Sequence, residues 1–185
     1  MRFDKFTAKL QAAIAEAQSL AVGQGHNQLD PAHLLLALID TKDTGIKALI
    51  EKADGSSSRL RDGLQRLVDD LPKVSQFDGE VQPSRDFVKL INLTDREAQK
   101  RGDQFIASEL VLLAALEMNS AITKLMKEAG LSRKTLEAAI DSLRGGARVD
   151  DPNAEEQREA LNKYTLDLTQ RALDGKLDPV IGRDE

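Results

Sequence analysis

Thr7, Asp103 and Glu109 are the residues of this sequence with the most chemistry to offer. A hydroxyl and two carboxylates placed around the starts of apolar helical stretches can bind a polypeptide's backbone amides or its basic side chains. The same residue types, together with Ser108, also favour a helix N-terminus through capping and the macrodipole, worth about 0.3–1 kcal/mol each. Spacing alone leaves both readings open. A second group, His26, Asp30 and His33, offers ligands of the kind zinc takes, but Pro31 interrupts the helix that would bring them onto one face. The plainer reading is a loop histidine and a partly buried His33.

Catalytic signatures are absent from the sequence. There is no HExxH, no GxSxG and no GxxxxGK[ST] phosphate loop, and Gly175-Lys176 lacks both the earlier glycine and the following hydroxyl. The chain has no cysteine, hence no disulfide, thiol nucleophile or thiolate metal site, which fits a reducing cytoplasmic compartment. The expectation is a binding domain with no catalytic, metal or cofactor site of its own.

With 185 residues and 41% apolar content, the chain can bury a sizeable core. Its net charge of −5 is unevenly placed: residues 1–149 hold 21 acids and 21 bases, whereas residues 150–185 hold 10 acids and 5 bases. A neutral body of interspersed charges has no footprint for nucleic acid, and with five Phe, one Tyr and no Trp there is little for bases to stack on. The longest apolar run, Leu110 to Leu116, is far short of a membrane span.

The elements that would position these side chains are helices. Leu10, Ala13, Ile14, Ala17, Leu20 and Ala21 recur at spacings of three and four, predicting a helix that ends near Gly23. Asp30-Pro31 opens a short apolar helix through Ile39, and further helices are expected over 45–53 and 57–71. The pattern then repeats. With a shift of 76 residues, Ile46, Leu49, Ile50, Ala53, Leu60, Leu64 and Leu67 fall on Ile122, Leu125, Met126, Ala129, Leu136, Ile140 and Leu143. His33-Leu34-Leu35-Leu36 falls on Glu109-Leu110-Val111-Leu112, while the first helices align with a shift of 77, Thr7 on Ser84.

The expected fold is therefore all-α, a duplicated four-helix unit of eight helices about a pseudo-twofold axis, since one copy alone has little core to spare. The repeats span about 1–75 and 82–146, residues 147–153 read as a flexible acidic hinge, and an extra helix is expected over 154–173. A seam between duplicated helical units that mixes apolar walls with a few charges is a common kind of peptide site.

Several strings in this order resemble a known family: Asp4-Lys5-Phe6-Thr7, Ala17-Gln18-Ser19-Leu20-Ala21, His26-Asn27-Gln28, Asp30-Pro31-Ala32-His33-Leu34-Leu35, Gln99 to Ile106, and Ser108-Glu109-Leu110. They are similar to the N-terminal domain of the bacterial AAA+ disaggregases of the Clp family. Lys163-Tyr164-Thr165 and Gly175 to Glu185 resemble the entrance to that family's first ATPase module. There Val180, Ile181 and Gly182 match a segment that lies against the adenine, with the phosphate loop following later.

The resemblance implies an eight-helix domain that captures unfolded or aggregated polypeptide and delivers it to the pore of a homohexamer. The full-length parent would use ATP and Mg and cooperate with the DnaK chaperone system in the stress response. Family positions that bind substrate match Thr7, Asp103 and Glu109, and Leu93 and Leu110 are the expected apolar wall. The piece itself is expected to be monomeric and not to hydrolyse ATP. The alternatives are an adaptor-docking domain of a protease-linked unfoldase, or a standalone helical scaffold.

Overall fold

The computed structural model describes residues 3–41 and 45–158. Among them, eight α-helices run in order: α1 (Ala8–Gln24), α2 (Pro31–Asp40), α3 (Ile46–Lys52), α4 (Ser57–Asp69), α5 (Arg85–Arg101), α6 (Glu109–Glu117), α7 (Ala121–Glu128) and α8 (Arg133–Arg144). The duplicated four-helix architecture is present, α1–α4 answering to α5–α8. Equivalent positions do equivalent work. Thr7 accepts the Leu10 N–H at the start of α1 and Ser84 accepts the Phe87 N–H at the start of α5. Gly25 and Gly102, both at φ +74°, end those two helices in the left-handed conformation that glycine adopts without steric cost. This moves the end of α1 from the expected Gly23 to Gly25: Gly23 stays helical, and Gly25 turns the chain while its N–H bonds the Ala21 carbonyl.

The sequence pattern carries no signal for the two short strands that tie the repeats together. β1 (Gln28–Leu29) pairs in parallel with β2 (Gln82–Pro83), Leu29 opposite Pro83, and a separate parallel bridge joins Phe6 to Ile106. With the 77-residue offset the two pairings are the same contact made twice, in exchange. The segment before each repeat's first helix pairs with the segment after the other repeat's first helix. The backbone bonds match as well, Thr7 N–H to the Ile106 carbonyl and Ser84 N–H to the Leu29 carbonyl, each 3.0 Å. Across the same axis α3 packs on α8 and α4 on α7.

α2 and α6 occupy the centre. Every residue from Pro31 to Ile39 and from Glu109 to Leu116 is buried, as required of helices apolar around most of their circumference. α2 packs against α1, α3, α4 and α5, and α6 against α5, α7 and α8.

The two histidines, read as a loop residue and a partly buried one, are both buried and paired. His33 Nδ1 accepts the Asp30 N–H at 2.9 Å, which puts its proton on Nε2, and Nε2 lies 2.9 Å from His26 Nδ1. Asp30 completes a reciprocal cap by accepting the Ala32 N–H. Burial, then the His26 charge, push His33 down from its ordinary 6.5 to about 4. The neutral ring is the folded form, so this stability is intact above pH 6.5 and is lost as pH falls toward 4. Among the described residues, no group of three or more His, Cys, Asp or Glu could hold a metal ion.

Lowering pH from 7 to 5 should cost about 2 kcal/mol through His33, read as a fall in urea midpoint that His33→Gln, which keeps an acceptor for the Asp30 N–H, largely removes. At Gly130, φ is +97° and an added Cβ would sit 3.0 Å from the Asp54 carbonyl oxygen. Gly130→Ala should destabilise by about 1–3 kcal/mol in urea unfolding, whereas Gly23→Ala, in a helix with open space around it, should stabilise by about 0.5–1 kcal/mol.

Candidate functional site

The repeat position filled by neutral His33 in α2 is filled in α6 by Glu109, a carboxylate only 1% exposed. A buried charge persists only when paired and hydrogen-bonded. Two cations do this. Arg144, the last residue of α8, places Nε 2.9 Å from Glu109 Oε2 and Nη1 2.8 Å from Asp103 Oδ2. Arg158 grips the other side of Glu109 as a fork, with Nη2 3.0 Å from Oε1 and Nη1 3.1 Å from Oε2. Burial would raise the Glu109 pKa, but Arg158 and then Arg144 outweigh it and hold the carboxyl below the usual range.

Arg158 belongs to a strap, residues 147–158, that lies across this site. The stretch expected as a free hinge is docked on the body here. Its Val149 is 1% exposed. The Val149 carbonyl accepts the Gln104 and Phe105 N–H groups at 2.9 and 3.0 Å, and its own N–H donates to Asp103 Oδ1 at 3.0 Å. Ala8 N–H, in the first turn of α1, donates to the Pro152 carbonyl at 2.8 Å. A helical turn then begins at Ala154; the remainder of the predicted 154–173 helix, and Val180, Ile181 and Gly182, lie outside the described residues.

The first residues of that turn plug the centre of the cleft. Glu155, 5% exposed, accepts on Oε2 from the Thr7 hydroxyl, from the Ser108 N–H at 3.0 Å and from the Ser108 hydroxyl at 3.1 Å. Burial, reinforced by the Glu109 charge, pushes the Glu155 pKa up against the lowering effect of these donors. Docking this carboxyl therefore favours proton uptake, which brings the cluster of Asp103, Glu109 and Glu155 with Arg144 and Arg158 toward charge balance.

Thr7, Asp103 and Glu109 thus converge on one cleft between the repeats, Thr7 from the first and the two acids from the second. Thr7 caps α1 and donates its hydroxyl to Glu155 at once. Ser108 makes no side-chain cap bond; its hydroxyl goes to Glu155 instead. Leu110 corrects the expectation of an apolar wall: it is fully buried in the core, on the central helix, and has no surface to offer a ligand. Leu93 is half-buried against the core from α5. Arg144, Val149, Glu155 and Arg158 escaped the sequence reading. Their only trace was Glu155 and Arg158 placed three apart on a nascent helix.

Comparison with known proteins gives a consistent picture. Residues 5–129 match the family model described as Clp repeat (R) N-terminal domain. The Chaperone protein ClpB of Pseudomonas putida is 54% identical over all 185 residues, and that of Vibrio cholerae 50%. The chain spans 22% of the length of these relatives. Among solved structures, the Hsp104 N-terminal domain from Candida albicans matches with a TM-score of 0.71 at 29% identity, over 82% of this chain and 99% of that one. A ClpV N-domain in complex with a VipB peptide shares the fold, with a TM-score of 0.56 at 19% identity over 75% of this chain and 86% of that one.

The buried cluster separates from surface pairs in a measurable way. Arg144→Ala leaves the buried Asp103 carboxylate without a cation and Glu109 with Arg158 alone, and should cost about 3 kcal/mol in urea unfolding. Arg101→Ala, which removes a pair with an Asp141 side chain that is 68% exposed, should cost no more than about 1 kcal/mol.

Proposed function

Because the chain belongs to the Clp repeat N-terminal domain family, being an N-domain and not an ATPase module, we propose that it captures unfolded polypeptide for an ATP-driven protein-remodelling chaperone. The observation that carries this is the kind of ligand the inter-repeat cleft already holds. A stretch of polypeptide lies in it, with the backbone of Val149 bound through both its N–H and its C=O and that of Pro152 through its C=O. A cleft that binds through main-chain groups tolerates many sequences, which suits capture of varied clients with modest affinity and fast release. Thr7, Asp103 and Glu109 are its polar contacts, and half-buried Leu93 offers apolar surface on α5, the first helix of the second repeat.

In the whole protein the domain would hand clients to the pore of a homohexamer whose ATPase modules bind ATP and Mg. Six copies per ring would supply avidity that one cleft lacks. Rescue of aggregated protein after stress in the cytoplasm, in cooperation with DnaK, is the activity this arrangement serves. The peptide seated on a ClpV N-domain supports a second use of the same fold, docking of a specific partner segment.

An amide-resolved NMR titration of the 185-residue chain with a permanently unfolded model protein tests the reading. Shifts should cluster at Thr7, Asp103, Ser108 and Glu109 and extend to Leu93, and should weaken in a Thr7→Ala, Asp103→Asn variant shown to stay folded. A folded sample that gives no shifts with unfolded protein, but binds one folded partner stoichiometrically, would replace client capture with partner docking.

A further inference from the structure

The strap does more than cover the cleft, because its side chains meet the cleft floor with matched chemistry. Three donors, the Thr7 hydroxyl and the Ser108 N–H and hydroxyl, converge on one oxygen of Glu155. One turn further on, Glu109 receives the Arg158 guanidinium through two parallel bonds. We propose that the cleft is a recognition site for a carboxylate and an arginine three residues apart on one helical turn, and that Glu155 and Arg158 fill it as a tethered stand-in which an incoming segment must displace. This rests on the capture reading above and names the ligand chemistry and the gate of that same site.

Order and charge both matter. Without the strap, the cleft keeps Asp103 and Glu109 against Arg144 alone, one negative charge in excess, so a ligand carboxylate enters only with its own cation. Lysine offers a point charge where the geometry takes a fork, and is the weaker substitute. Exchanging the two ligand residues would set a carboxylate against Glu109 and an arginine against the Thr7 and Ser108 donors, unfavourable at both ends.

The stand-in is also an incomplete fit. Glu155 Oε1 and Arg144 Nη2 are buried, in residues only 5% and 8% exposed, and find no hydrogen-bond partner among the described residues. Buried polar atoms left unpaired cost free energy, so a segment that satisfies them has something to gain by taking the strap's place. Because the strap is attached, it competes at a high effective concentration. A free ligand then binds with an affinity reduced by the fraction of time the cleft is open.

The test uses the full 185-residue chain, unsubstituted and with Arg158→Ala, and a fluorescent peptide of residues 147–158 as the probe in trans. Freed of its fork, the variant should bind the peptide about ten-fold more tightly than the unsubstituted chain. A peptide with its Glu155 and Arg158 exchanged should lose that gain. The variant should also bind a permanently unfolded protein several-fold more tightly, and the peptide should compete it away. Equal peptide affinity for both chains, or equal binding of the exchanged peptide, overturns the proposal. So does unfolded-protein binding that is indifferent to Arg158, an outcome that leaves capture standing at another surface. If unfolded protein binds neither chain, the capture reading fails and the peptide comparison alone decides this one. Arg158→Lys serves as the second host should the alanine variant lose its native amide spectrum, with an intermediate gain expected.

Discussion

A carboxylate buried at the first turn of α6 sets the terms for one side of this molecule. In the first repeat the equivalent position holds His33, which satisfies itself locally by accepting the Asp30 N–H and pairing with His26. In the second repeat the position holds Glu109, whose charge no neighbour within α6 can balance. Compensation has to arrive from elsewhere in the chain, and it comes from Arg144 at the end of α8 and Arg158 in the strap. The two repeats present equivalent places, and the carboxylate at the second one is the point to which Arg144 and Arg158 are anchored.

The exchanged backbone pairing makes that anchor part of a cleft. Phe6 against Ile106, and Leu29 against Pro83, bring the start of α1 beside the start of α6. Thr7 and Ser108, distant in sequence, then aim hydroxyls at a common point, and the Ala8 and Ser108 N–H groups face the same segment of polypeptide. A purely helical bundle without the crossed strands would have no reason to hold these groups together. In the docked strap, the Thr7 and Ser108 donors hold the side chain of Glu155 and the Glu109 carboxylate that of Arg158, while main-chain N–H groups hold the carbonyls of Val149 and Pro152.

Much of this was legible in the sequence. The helical period, the 76-residue repeat and the Asp30-Pro31 cap all point to elements the structure contains, and Thr7, Asp103 and Glu109 do meet in one cleft. Three things were not legible, for physical reasons. Two-residue strands leave no periodicity, so the pairing that builds the cleft was silent. Leu110 lies on a helix apolar nearly all round, where spacing cannot distinguish a wall from the core. The strap follows Gly145-Gly146 and contains Asp150-Asp151-Pro152, a composition that reads as mobile, and its docking depends on tertiary partners for Val149, Glu155 and Arg158 that no local pattern encodes.

The central claim is that client polypeptide and strap compete for one cleft, and hydrogen exchange at the amides that hold the strap reads this directly. On adding a permanently unfolded protein to the chain, Ala8 and Val149, whose N–H groups bond the strap's backbone or are part of it, should exchange faster. Core amides of α2 should keep their protection, and Ser108 should stay protected by the ligand that replaces Glu155. Binding of unfolded protein with the protection of Ala8 and Val149 unchanged would contradict the account, because client and strap would then occupy different surfaces.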